Sequence, residues 1–276
     1  MNITAAYINH LRPHLSDRDL QIIATVGHFK LATAGQLERL YFPRPLSAPP
    51  PAATYSLMSK ADKSRIRNRQ DVLRRLTEHR VLARVGERGI GGASRGSASF
   101  LYTLDVAGQH IAETSTARPR RPYQWYDPLI KHTLAITELY VQLVEQHRTK
   151  SLALLDYKTE PYCWRTFPGG VLKPDAFTQV ELSRGAQRRR GSFFIEVDRA
   201  SQRGTKIDTK FPQYIDYWQW HKATKPDQVF PQVLFLAPHA GRVAYLKGVV
   251  RSRPEAQHLF RVELIEGAMA VFSGAE

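Results

Sequence analysis

Cysteine is almost missing from this chain: Cys163 is the only one in 276 residues. A single thiol can form neither an intramolecular disulfide nor a multi-cysteine zinc site, and such usage suits a reducing compartment. Long apolar runs are missing too. No stretch reaches the roughly 18 consecutive apolar residues that a bilayer-spanning helix needs. The opening MNITAAYINHLRPHLSDRD has no basic head ahead of an apolar run, so neither membrane insertion nor secretion is expected and a cytoplasmic location is. The third shortage is negative charge: 25 Asp+Glu face 40 Lys+Arg, a formal charge of +15. A surplus of this sign attracts polyanions, which makes nucleic acid the expected partner. It divides almost evenly about residue 115, so both halves can reach such a polymer.

What is present is ordinary globular material, 42% apolar, long enough for two modest domains. Pro43, Pro45, Pro49, Pro50 and Pro51 mark a loop that can neither continue a helix nor enter a central strand. The segment STARPRRPYQWYDP at 115–128 combines prolines with arginines and separates two patterns of different character. The expected division is a first domain over 1–115, a basic Pro-rich linker over 116–126 and a second domain over 127–276.

The first domain reads as helical, then β. Ser16 with Asp19 makes a capping box ahead of Leu20, Ile23 and Val26, and Thr33 with Gln36 repeats the device ahead of Leu37, Leu40 and Tyr41. A third helix, KADKSRIRNRQDVLRRLTEHR, carries Ile66, Leu73 and Leu76 inward and is basic elsewhere, with Lys63, Arg65, Arg67, Arg69, Arg74 and Arg75. VLARV at 81–85 and FLYTL at 100–104 are expected strands about a Gly-rich turn, GERGIGGASRGSAS. Helix, helix, basic helix and hairpin resemble a winged helix-turn-helix domain. The resemblance implies that the third helix enters the major groove of duplex DNA, with Arg84, Arg88 and Arg95 of the hairpin available to phosphates.

The second domain reads as an α/β sandwich around a mixed sheet. A long core helix over DPLIKHTLAITELYVQLVEQHR precedes three strands, SLALLDYKTE, VLKPDAFTQVEL and GSFFIEVDRAS. The last two are separated by a turn at RGAQRRRG, the only dense run of one charge. A helix over GTKIDTKFPQYIDYWQWHKA, a strand at PQVLFLAP, a helix at AGRVAYLKGVVRSR and a strand at LFRVELIEG complete it. The fold class is therefore α+β. Trp164, Trp218, Trp220, Tyr214 and Tyr217 are expected in its core rather than stacked on bases.

Asp175 falls at a strand start, and Glu196 and Asp198 share one face of the next strand, so hairpin pairing brings three carboxylates together. Such a group needs a divalent cation such as Mg²⁺ or Mn²⁺, or a nearby lysine. The alternative is a structural cluster neutralised by Lys173, Arg199 and the arginine-rich turn. Glu138, Glu160 and His132 stay on the fringe as ordinary surface or packing residues. Helix, strand, a hairpin carrying PD and E-x-x, then helix resemble the PD-(D/E)XK nuclease fold. That likeness implies that Asp175, Glu196 and Asp198 hold the metal while a lysine assists the attacking water. Asp198 stands where that motif has lysine, and Lys206 or Lys210 of the following helix would replace it.

Taken in order, the winged helix, KHTLAITELYVQL, PDAF, FFIEVDRAS and KFPQYIDYW, with the pair Lys210 and Tyr214, resemble the replication-relaxation family. The resemblance implies a bacterial protein at the nucleoid or on a plasmid or other mobile element, acting on duplex DNA in replication or relaxation. Metal-dependent hydrolytic nicking is the expected chemistry. The ten histidines form no cluster of the kind a tyrosine relaxase needs. A non-cutting DNA-binding regulator is the alternative, and a homodimer and replication or mobilisation proteins are left open as further partners.

Overall fold

The computed structural model describes residues 3–49, 54–90, 99–112, 125–184, 187–198 and 205–274. Two compact units divide the chain, Met1–Thr137 and Glu138–Glu276. The division falls inside a long helix, and most of the expected linker, 113–124, lies outside the described residues. Helices and strands are mixed in both units, so the chain is α+β.

Unit 1 begins with a helix that the sequence reading lacks, α1 (Ala5–Leu11), capped by Thr4. Both arms of the two expected capping boxes form, at Ser16–Asp19 and at Thr33–Gln36. They open α2 (Asp17–Phe29) and α3 (Ala34–Tyr41), with β1 (Ala32–Thr33) between them. Each box satisfies two backbone donors that a helix start otherwise leaves orphaned. Leu20 corrects the expected apolar face: it is exposed, and Ile22 joins Ile23, Val26 and Phe29 in the core instead. The described part of the proline segment, 43–49, holds neither helix nor strand.

The basic helix is α4 (Lys60–Glu78), capped by Ser59. Val72, Leu73 and Leu76 are its buried apolar residues, while Ile66 is half-buried. Arg80, at φ 54, turns the chain out of it. The Arg80 guanidinium then forks onto Asp105, whose Oδ1 also accepts from the Val106 N–H. The hairpin follows as β2 (Leu82–Ile90) and β3 (Ser99–Leu104), and the antiparallel sheet has the order β1-β3-β2. Most of the expected Gly-rich turn, 91–98, lies outside the described residues. Helix α5 (Val106–Ala112) closes on the turn after α4. A Cβ at Gly108 would sit 2.1 Å from the Val81 carbonyl oxygen, so the approach requires glycine there. The first part of α6 (Asp127–Arg148) lays Ile130 and Leu134 against Leu31 and Leu101.

Unit 2 takes the rest of α6, then β4 (Ala153–Thr159), the small hairpin β5 (Arg165–Phe167) and β6 (Gly170–Leu172), β7 (Ala176–Arg184) and β8 (Gln187–Val197). It continues through α7 (Thr205–Thr224), β9 (Gln232–Ala237), α8 (Ala240–Arg251), β10 (Phe260–Leu264) and α9 (Ala268–Phe272). The sheet order is β10-β9-β8-β7-β4, antiparallel on the β4 side and parallel on the β10 side. Strand β9 is buried on both faces and reads as a continuous apolar run. Phe211 of α7 stacks on Phe235 of β9 with centroids 4.5 Å apart, and Tyr214 and Tyr217 are buried beside them. The expected turn at 184–191 is corrected: Arg188, Arg189 and Arg190 lie within β8, and only 185–186 separate the strands. The stretch expected as one strand over 171–182 is broken between β6 and β7, where Pro174 has no N–H to offer a ladder.

Candidate functional site

Strand register brings Asp175 and Glu196 together. Ala176 pairs with Ile195, so Asp175 stands opposite Glu196, and opposed residues of an antiparallel ladder project to one side. The Asp175 N–H donates to the Ile195 carbonyl at 3.1 Å, and its Oδ2 accepts from the Val197 N–H at 2.7 Å. Helix α7 supplies the counter-charge. Lys210 and Tyr214 lie one turn apart and present together. Lys210 Nζ donates to Glu196 Oε2 and lies 3.7 Å from Asp175 Oδ1, while the Tyr214 hydroxyl donates to Glu196 Oε1 at 2.8 Å.

Glu196 is 3% exposed and Tyr214 fully buried, so water screens this group poorly. Burial pushes the Glu196 carboxyl up, to about 8, with Asp175 adding to the push and Lys210 and Tyr214 opposing it. Burial pulls the Lys210 ammonium down, but Glu196 and Asp175 outweigh it and hold the lysine above its ordinary value. Burial and the neighbouring Glu196 raise the Tyr214 phenol well above its usual range, which keeps it a neutral donor. Among the described residues one ammonium therefore faces two buried carboxyl groups.

Asp198 departs from the expected trio. Its N–H donates to the Leu236 carbonyl at 2.8 Å, and its carboxylate accepts from Arg242 Nε in the first turn of α8. Among the described residues, no group of three or more His, Cys, Asp or Glu side chains is placed to hold a metal ion. Asp175 and Glu196 still suit a hard cation in part, because Mg²⁺ commonly takes one or two carboxylates and completes its shell with water and substrate phosphate. Lys206 belongs to α7, but its side chain lies outside the description. Cys163 is buried and donates to the Pro174 carbonyl; burial pushes its thiol up to about 12, which leaves no nucleophile there.

On unit 1 the expected DNA-contacting residues separate into two sets. Arg75 Nη2 donates to both carboxylate oxygens of the buried Asp19, at 2.8 and 2.7 Å. Arg65 reaches Glu38 at 3.2 Å and Asp62 at 3.5 Å, and Arg69 donates to Glu38. These three arginines tie α4 to α2 and α3. Lys63 donates to the Ser56 carbonyl and sits over the Tyr55 ring. By contrast Arg67 is exposed and makes no ion pair among the described residues, and Arg74 is exposed between Asp71 and Glu78. Arg84 is exposed on β2, 4.2 Å above the Phe100 ring. Arg88 is in β2 with its side chain outside the description, and Arg95 lies outside the described residues.

Sequence reasoning missed Arg242 and Glu38. Arg242 stands 44 residues from Asp198, with no local pattern to announce the pair. Glu38 had a signal, since Arg65 and Arg69 share a helix face at i,i+4 and two guanidiniums side by side ask for a carboxylate.

The family model described as replication-relaxation matches residues 23–233. No curated protein and no solved structure matches the chain. The match runs from α2 of unit 1 to β9 of unit 2 and covers Asp175, Glu196, Lys210 and Tyr214. The chain belongs to the replication-relaxation family.

Proposed function

We propose that this member of the replication-relaxation family binds duplex DNA and acts in the replication or relaxation of a plasmid or other mobile element. The observation that carries the reading is the build of unit 1. Helices α2, α3 and α4 are followed by the β2–β3 hairpin, the order of a winged helix-turn-helix, in a chain of net charge +15. The exposed stripe of α4 holds Lys60, Ser64, Arg67, Asn68 and Arg74, side chains that can donate to phosphates and base edges. Arg67 is the residue on it best placed to read sequence. Arg65, Arg69 and Arg75 are spent on holding the helix in place. Binding of the full chain to a labelled duplex should weaken steeply with salt, with a slope of log affinity against log salt near −5 if about six phosphates are neutralised. A flat response contradicts the proposal.

A second reading, metal-dependent nicking, is favoured by one observation: Asp175, Glu196 and Lys210 stand together on the α6-β4-β7-β8-α7 order that resembles a nuclease core. Asp175 and Glu196 would hold Mg²⁺ or Mn²⁺, whose chemistry there is to activate water and stabilise charge on the attacked phosphate. Lys210 would orient water or offset that charge, and Asp198, held by Arg242, would support the strand end. Tyr214, neutral and engaged by Glu196, has no role as a nucleophile. Supercoiled plasmid incubated with either metal should yield open circles, lost in EDTA and in Asp175→Ala. No open circles under either metal, with duplex binding intact, would make the chain a DNA-binding regulator that does not cut.

A further inference from the structure

The arginine run in β8 is left over by every role assigned so far. Strand β9 pairs with β8 only from Phe193 onward, and β4 pairs with β7 only as far as Glu181. Beyond those points Leu182–Arg184 pair with Gln187–Arg189 as a two-stranded antiparallel arm that outruns the sheet, and Arg190–Ser192 at its root pair with Gln179–Glu181. Alternation sorts its side chains. Val180 and Phe193 lie on one face, and Phe193 packs edge-on against Phe272 of α9. The other face is polar: Gln179 donates to Ser192 at 3.0 Å, and next to them Glu181 accepts from Arg190 at 2.8 Å and lies 3.6 Å from Arg188.

Arg188 and Arg190 thus share one carboxylate, while Arg189, opposite Leu182, belongs to the other face. The Arg188 and Arg190 side chains are 75% and 74% exposed despite that partner. Arg189 is exposed and has no ion pair among the described residues. Edge strands often carry charge simply to discourage pairing with other chains, and lysine is the usual choice for that. Arginine forks suit phosphate oxygens better, and a twisted two-stranded ribbon follows the surface of a duplex.

We propose that the β7–β8 arm is a second, sequence-independent contact for the DNA backbone, made by Arg188 and Arg190 from one face of the ribbon and by Arg189 from the other. It rests on the reading of the chain as a duplex-binding protein. The arm supplies affinity and leaves base recognition to unit 1. Glu181 is its positioning residue, fixing the fork of Arg190 toward solvent.

The test is the salt dependence of duplex binding by the full chain, on two unrelated sequences, for the wild type, for Arg188→Gln/Arg189→Gln/Arg190→Gln together and for the matching triple lysine variant. Because Arg188 and Arg190 also pair with the buried Glu181, unfolding midpoints are measured alongside and binding is compared where every variant is folded. The glutamine variant should flatten the slope by about 2 to 3, since each lost phosphate contact removes about 0.9. Affinity should fall equally on both sequences, and the lysine variant should restore most of the slope. An unchanged slope in the glutamine variant, with wild-type binding intact, overturns the arm and leaves unit 1 as the DNA-binding surface. Absence of salt-dependent binding by the wild type overturns both.

Discussion

Two clusters, the pairs around α4 in unit 1 and the Asp175–Glu196 group in unit 2, gather opposite charges in different proportions, and the proportion separates scaffolding from chemistry. At the half-buried pairs that hold α4 in unit 1 cations match or exceed anions: Arg44 and Arg65 converge on Asp62, Arg65 and Arg69 on Glu38, and Arg75 donates to both oxygens of Asp19. Asp19 and Asp62 are held below the usual carboxylate range. At the Asp175–Glu196 cluster of unit 2 the proportion is reversed, and one ammonium, Lys210, faces two carboxyl groups. Saturated pairs fix where α4 sits. Burial and the neighbouring Asp175 raise the Glu196 carboxyl, a demand for positive charge that a proton or a metal can meet, and such demands gather at functional sites.

The largest expected effect breaks that second cluster. Lys210→Met leaves two buried carboxylates without their cation and should destabilise unit 2 by about 3 kcal/mol, read by urea unfolding. Adding Glu196→Gln should recover part of the loss, because the neutral pair is less costly to bury. If the double variant is as unstable as the two single losses summed, the carboxylates and Lys210 are not coupled.

A smaller effect is expected in unit 1. Burial pushes the Asp19 carboxyl up, but hydrogen bonds from Arg75 and Ser16, with the Arg75 charge, bring it below its ordinary value. A carboxyl depressed in the folded state contributes stability that is complete above its unfolded value of about 3.9 and is lost as pH falls through the folded one. Asp19→Asn should therefore cost about 2 kcal/mol at neutral pH and flatten the acid limb of a stability–pH curve. An acid limb as steep as that of the wild type would show that Asp19 is not the group that titrates.

How far these features were legible in the sequence depended on their range. Both capping boxes could be read because each closes within four residues, and α7 and β9 because their apolar patterns are long. The neighbourhood of Asp175 and Glu196 followed from a hairpin register. Asp198 did not follow: alternation placed it on the Glu196 face, yet it lies just past the end of β8, where Arg242 claims its carboxylate. The basic face of α4 looked uniform for a similar reason. Its partners Asp19 and Glu38 are 56 and 31 residues away from Arg75 and Arg69, beyond any local pattern. Strand β1, two residues long, and the β5–β6 hairpin are too short for a hydrophobic period to register.

The most direct measurement compares Arg67→Ala with Arg69→Ala, each scored for sequence selection from a random duplex pool and for urea stability. Free and paired arginines should part company. Arg67→Ala is expected to keep its stability and lose sequence discrimination. Arg69→Ala should lose about 1 kcal/mol, through the broken bond to Glu38, and still select the wild-type sequence once folded. Loss of discrimination in Arg69→Ala with none in Arg67→Ala would contradict the assignment of α4's exposed stripe as the DNA-reading surface.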